Sequence, residues 1–366
     1  MPDFLPPDLQ ARRDAVADLA RHVLAPLRDD TALGTAERAA RVRAASQAAG
    51  LYGLTQADDS AELLLLVVRE TLARHCVAQL PGLFGAPAGV LAGVGEPLRS
   101  SHLLPLLAGD KRGGFAFTEP ADAPRPTWAR VDGDRLLVTG RKSYVTGGAD
   151  ADFMTALVDI EGRGPAMVVI DTATPGVTLQ RRFSSLDGSH HAAFAFDAVA
   201  VPLSHVVGAP GDGRSRALAT ISRMRRAIAA EAAGTLAWVV DDLARELQRE
   251  RRGGARADSE RMRLRYGELR IQAFGVRAAV YRAARLADAG EDVVNESIAA
   301  KVLATEAVHQ GVDMAVQLVG GEALVDDHPL AQALRRVRAW RLAEGETDTL
   351  RINVARGHLD LAKGRL

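Results

Sequence analysis

The order of patterns along the chain constrains its fold more than any single motif: short helices, then strands, then long helices. From 8 to 111, Leu9, Ala15, Leu19, His22 and Val23 recur at helical spacing, and 36–49 is alanine-rich with regular arginines. Gly50, Gly53 and the Pro/Gly cluster over 81–95 break this part into short helices. Between 113 and 202 the period changes. The runs 135–139, 153–158, 166–170 and 192–196 are β-branched or aromatic and are separated by turns such as Asp132-Gly133-Asp134, Glu161-Gly162 and Thr174-Pro175-Gly176. That spacing suits a small barrel or sandwich. From 214 onward, 217–249 and 260–289 each exceed twenty-five residues with bundle-like apolar spacing, divided by Gly253-Gly254 and closed by Gly290. A third helix is expected over 294–318 and a fourth from 347. The expectation is an α+β chain, mostly α: an N-terminal helical domain (1–112), a central small β-barrel (113–213) and a C-terminal four-helix bundle (214–366).

Several functional classes drop out. Forty-six basic side chains balance 46 acidic ones, so the formal charge is zero and a nucleic-acid binder acting through a general basic field is not expected. Only Lys111, Lys142, Lys301 and Lys363 are lysines; the other 42 basic residues are arginines, so a phosphate would meet guanidinium forks. A single cysteine, Cys76, excludes a disulfide framework, no Cys/His group has zinc spacing, and no metal site is expected. Apolar runs such as 63–68 are too short for a membrane helix, and 1–8 carries two acids without a basic segment, so neither membrane nor secretory signal is expected and a cytoplasmic location is the default. Gly93-Val-Gly95 lacks the context of a dinucleotide fingerprint, and neither G-x-S-x-G nor a Walker loop occurs. Ser189-His190-His191 reads as a turn before a strand, with two histidines that could serve a polar substrate.

Four segments then fall in order on this pattern. They are Phe115-Ala-Phe117-Thr118-Glu119-Pro120, Gly140-Arg-Lys142-Ser-Tyr144-Val-Thr146-Gly147-Gly148, Ala315-Val-Gln317-Leu-Val-Gly320-Gly321, and Ala343-Glu344-Gly345-Glu346 continuing to Arg351. They resemble A-x-T-E-P, G-x-K-x-W-I-T-N-G, A-x-Q-x-x-G-G and Y-E-G-T-x-x-x-x-R of the acyl-CoA dehydrogenase family, nearly end to end. Weaker echoes are Leu186-Asp-Gly and 196–202.

The resemblance implies flavin-dependent α,β-dehydrogenation of an acyl thioester, carried by CoA or a carrier protein, with FAD as cofactor. Glu344 would abstract the α-proton, its backbone N–H would help hold the thioester oxygen, and desolvation in an acyl pocket would strengthen it as a base. Gly345 would allow a tight turn beside the substrate. Phe117, Thr118, Tyr144 and Thr146 fall at flavin-contact positions, with Tyr144 where the family usually has a stacking tryptophan. Arg249, Gln317, Gly320 and Gly321 match positions serving the cofactor's phosphates and ADP half, and Glu346, beside the proposed base, is counted with the cofactor-binding residues. Arg225 matches an arginine near the thioester. An electron-transfer flavoprotein would take the electrons, and a homo-oligomer (dimer or tetramer) or a heteromer is implied.

The departures leave alternatives open. Asp122-Ala-Pro124-Arg125 replaces the family's A-G-S-D, Ser222 replaces an aspartate, and Arg249-Glu-Arg-Arg252-Gly253 lacks the aromatic of R-x-x-F-G. Glu260 stands where a glutamine is usual, Glu346 replaces a threonine and Ala343 a tyrosine. A diverged subunit that completes a partner's flavin site, or an oxygen-using flavoenzyme of the same fold, would also fit such changes.

Overall fold

A computed structural model describes residues 5–56, 61–251 and 254–364. The chain first forms helices α1 (Pro7–Leu19), α2 (Ala25–Asp29), α3 (Thr35–Ala48), α4 (Glu62–Arg74) and α5 (Leu104–Ala108). Strands follow: β1 (Gly113–Ala116), β2 (Trp128–Asp132), β3 (Arg135–Thr146), β4 (Phe153–Ile160), β5 (Gly164–Asp171), β6 (Val177–Ser184), β7 (His190–Pro202) and β8 (Val206–Val207). Helices α6 (Gly213–Gln248), α7 (Glu260–Asp288), α8 (Val294–Val319), α9 (Pro329–Trp340) and α10 (Thr347–Leu359) complete it. Compactness groups these into two units rather than three consecutive stretches: Met1–Leu54, Asp59–Phe84 and Ser222–Leu366 form one, Thr55–Asp58 and Gly85–Ile221 the other. The sequence division at 112/113 and 213/214 follows secondary-structure class. Packing ignores that class, because α4 shares a core with α6 and α7 despite 150 to 200 intervening residues.

In the strand-bearing unit one eight-stranded sheet runs β6-β7-β3-β2-β4-β5-β8, with β1 pairing β4 in parallel. Its centre is explained by composition. β4 (FMTALVDI) and β5 (GPAMVVID) are almost continuously apolar, as strands covered on both faces must be, and Met154, Ala156, Val158, Val168 and Ile170 are fully buried. β3 and β7 pair over their whole lengths, with register shifts at Val138/Gly140 and Lys142/Val145 that bend the strand.

In the helical unit, α6 buries Ala229, Ala233, Leu236, Val240, Leu243 and Leu247, a spacing of three and four that keeps one face inward. Among the described residues, the four helices expected from residue 213 onward are present as α6, α7, α8 and α10, and α9, which was not expected, is added to them. α6 also comes unusually close to α4: a Cβ on Gly234 would lie 2.2 Å from the Glu70 carbonyl oxygen. Glu70 itself is buried and accepts from Arg277 and the Tyr281 hydroxyl, so α4 and α7 are joined by a satisfied polar group.

Candidate active site

In the sheet unit, the register shift in β3 turns Tyr144 out. It adopts φ 53° and its ring is 62% exposed, standing edge-on to Phe183 at 5.1 Å and to His191 at 5.8 Å. Two residues on, the Thr146 hydroxyl contacts His191 Nδ1 at 3.2 Å, while Nε2 of the same ring lies 2.9 Å from Ser189 Oγ, which donates to Asp187. His190 and His191 thus begin β7 instead of sitting in a turn, and burial pulls the His191 pKa down, so its ring is neutral at neutral pH. It is a contact the sequence reading missed.

Beside it, Thr118 is exposed just past β1, and its carbonyl accepts from Ser143 N–H at 2.9 Å. Phe117 stacks on Phe115 at 5.9 Å. This segment is held by a buried lysine. Lys142, 1% exposed, donates to Glu119 Oε1 at 2.7 Å and to the Phe117 carbonyl at 3.4 Å. Burial pushes the Glu119 carboxyl up, but Lys142 and the Thr127 N–H outweigh burial and hold it below its ordinary value. The altered loop after Pro120 is also anchored: Arg141 donates to Asp122, and the Arg125 guanidinium lies 4.4 Å over the Trp128 ring.

In the helical unit, Glu344 lies in the short connection from α9 to α10. It has φ 54°, a left-handed conformation that costs a side-chain-bearing residue roughly 1–2 kcal/mol. Gly345 follows at φ 110°, where a Cβ would meet Leu350 Cδ2 at 3.0 Å and Arg225 Nη2 at 3.4 Å. Two buried cations secure this turn. Arg225 Nε donates to the Glu344 carbonyl at 2.9 Å, and Lys301 Nζ donates to the Gly345 carbonyl at 2.8 Å and to that of Arg341 at 3.4 Å. Burial raises the Glu344 carboxyl above the usual carboxylate range, and Arg225 and Lys301 draw it back. Glu306 braces the same connection from α8 by pairing with Arg341 and Arg351. Lys301 was not singled out from the sequence, though a lone lysine inside the apolar run Ile298-Ala-Ala-Lys301-Val was a usable signal. Glu346 is exposed at the start of α10, where its carboxylate accepts from Thr349 and suits the helix N-terminus.

Elsewhere in this unit, a pocket of about 560 Å³ brings Arg249 together with Val319 and Glu322, the residues flanking Gly320-Gly321. Its remaining wall includes Asp242, Arg245 and Glu246. The Arg249 side chain is 70% exposed and meets Glu246 only at 3.8 Å, so it can turn toward an anion. Gln317 is exposed on the last turn of α8. Arg252 and Gly253, part of the segment compared with R-x-x-F-G, lie outside the described residues. Burial pushes the Cys76 thiol up to about 11, leaving it unreactive at neutral pH. Among the described residues, no group of three or more His, Cys, Asp or Glu could hold a metal ion.

A model of the family "Acyl-CoA dehydrogenase, C-terminal domain" matches residues 211–359. An acyl-CoA dehydrogenase of Bacillus subtilis is 28% identical over 313 residues, covering 79% of this chain and 82% of that protein. The human mitochondrial short-chain specific acyl-CoA dehydrogenase is 27% identical over 272 residues, 71% of this chain and 66% of that protein. A Mycobacterium abscessus structure assigned as an acyl-CoA dehydrogenase superposes with TM-score 0.84 at 26% identity, covering 98% of this chain and all of the other. Residues 211–359 thus match the C-terminal domain of acyl-CoA dehydrogenases, and the chain as a whole is similar to proteins of that family at under 30% identity.

On these likenesses it is an FAD-dependent oxidoreductase acting on CH–CH bonds. Its residues fit that cofactor. An exposed aromatic ring on a strand bulge, with threonine hydroxyls at positions 118 and 146, is a donor set suited to the flat edge and face of a flavin. A loosely paired arginine at position 249 suits a pyrophosphate.

Proposed function

We propose that the chain dehydrogenates an acyl thioester at Cα–Cβ, with Glu344 removing the α-proton. The observation that carries this reading is the Glu344 turn: a carboxylate held in a left-handed conformation, desolvated, and backed by two buried cations. An α-proton of a thioester is weakly acidic, so its removal needs a base stronger than a solvated carboxylate, and burial supplies that. Arg225 fixes the Glu344 backbone from behind, which leaves its N–H to donate to the thioester oxygen as negative charge builds there. Bound FAD supplies the acceptor for the β-hydride. In the sheet unit, Phe117, Thr118, Tyr144 and Thr146 hold the flavin ring in this reading. In the helical unit, Arg249, Gln317, Gly320 and Gly321 hold the phosphates and ADP half, and Glu346 flanks the base.

An electron-transfer flavoprotein as acceptor and a homo-oligomer of two or four copies complete the proposal. The oligomer is supported by α7, which leaves Leu264, Ile271 and Phe274 64%, 74% and 74% exposed at spacings of seven and three. No helix among the described residues is long and apolar enough to cross a membrane, and a cytoplasmic setting is part of the same proposal.

The test is Glu344→Gln with the flavin retained, followed by anaerobic bleaching with a panel of acyl-CoAs. The variant is expected to bleach about 10²–10⁴-fold more slowly. Bleaching at the parent's rate would remove Glu344 from the chemistry. A purified chain that is colourless alone and yellow only with a second polypeptide would favour the heteromeric reading.

A further inference from the structure

Lys301 is 0% exposed on α8, one turn from the buried hydroxyls of Ser297 and Thr305, on a helix that also buries Ala300, Ala304, Ala307 and Val308. A cation in such a place needs a reason. The ion pairs among the described residues give it no hydrogen-bonded carboxylate; it donates to the carbonyls of Arg341 and Gly345, one at each end of the turn that carries Glu344. The charged groups facing that turn are Arg225 from α6, Lys301 and Glu306 from α8, and Arg341 from the turn itself. Glu306 is matched by Arg341 and Arg351. The Glu344 carboxylate is therefore the counter-charge left to Lys301 and Arg225.

We propose that Lys301 is a positioning residue for Glu344: it closes the 341–345 turn through two carbonyls and supplies a fixed positive charge that keeps the buried carboxylate ionised. The proposal rests on the reading of Glu344 as the base. Lysine suits the place because three donors radiate from one nitrogen on a slender stem, whereas the planar guanidinium of arginine needs a wider slot. Burial lowers Lys301 to about 8, with Arg225 adding to that and Glu344 opposing it, so it is mostly protonated at neutral pH.

The test compares the parent holoenzyme with Lys301→Met and Lys301→Gln. Gln keeps a donor for the carbonyls without the charge. Two measurements are made: the pH profile of anaerobic flavin bleaching by butyryl-CoA and palmitoyl-CoA, and hydrogen exchange of the peptide spanning 341–350. Both variants are expected to move the acid limb up by about one pH unit, a tenfold loss of bleaching below that limb. Exchange in the turn is expected to rise more in Met than in Gln. A limb unchanged in both variants, whatever happens to exchange or stability, would make Lys301 a structural clamp only and overturn the proposal. Should Lys301→Met fail to fold, Lys301→Gln decides on the same limb. The Glu344→Gln variant separates the two ideas. If it bleaches at the parent's rate the base assignment fails, while the anchoring of the turn is still read by exchange alone.

Discussion

The Lys142–Glu119 pair permits a quantitative test of how the Phe117–Thr118 segment is held. Lys142 is 1% exposed and the Glu119 side chain 24%, so Glu119→Gln strands a buried cation beside a neutral partner. Removing one partner of a buried pair costs about 3–5 kcal/mol; the low end, about 3, applies because water reaches part of Glu119. Lys142→Met leaves a carboxylate that water can partly solvate and should cost about 1–2 kcal/mol. The double variant holds no charge there and should cost about 2 kcal/mol, giving a coupling of about 2–3 kcal/mol. Native-state hydrogen exchange at the Thr127 and Ser143 amides reads it locally, since these donate to Glu119 Oε1 and the Thr118 carbonyl. A 3 kcal/mol loss speeds exchange by opening roughly 150-fold. The pH dependence follows from the sign of the shift. The Glu119 carboxyl is lowered from 4.5 in the folded chain, so its contribution is complete above 4.5 and disappears as pH falls through the lowered value. Costs that add within about 0.5 kcal/mol would refute the pairing as the clamp on this segment.

Two further outcomes follow from backbone geometry. Gly345→Ala places a Cβ at φ 110° against Leu350 and Arg225, so it should cost about 1–3 kcal/mol and slow flavin bleaching; an unchanged urea midpoint and rate would contradict this. Gly234→Ala gains helix propensity of up to about 1 kcal/mol but drives a methyl into the Glu70 carbonyl, so a net loss of about 1–2 kcal/mol and a lower melting temperature are expected. A raised melting temperature would mean that α4 yields freely.

Legibility in the sequence tracked the length of the signal. α7 and α8 lie within one residue of their expected ends, and β4 and β5 contain the runs 153–158 and 166–170, because long periodic or continuously apolar stretches carry redundant information. β6 was invisible: its residues are mostly exposed, it includes Arg181 and Arg182, and only its ladder to β7 keeps it extended. α9 is short, alanine- and arginine-rich, and begins on a proline capped by His328, a signal easily read as loop. At the candidate site, the Glu344-Gly345 turn was legible as residue types. The left-handed backbone of Glu344 and Tyr144, the Lys301 clamp and the His191–Thr146 contact were not, since tertiary hydrogen bonds impose them. Helical period identifies a face but not what the opposing helix will offer it.

The distribution of lysines gives the molecule built-in chemical reporters. Lys142 and Lys301 are sealed, at 1% and 0% exposure, while Lys363 is 58% exposed in its side chain and Lys111 is partly exposed. An amine-acylating reagent applied briefly to the native protein should therefore label Lys363 and Lys111 and spare the other two. Delayed acylation at Lys142 would time the opening of the Phe117–Thr118 segment, and at Lys301 that of the Glu344 turn. Forty-two arginines would stay silent throughout. A chain this poor in lysine can thus have two segments of its candidate site followed separately, by mass alone, without a single engineered probe.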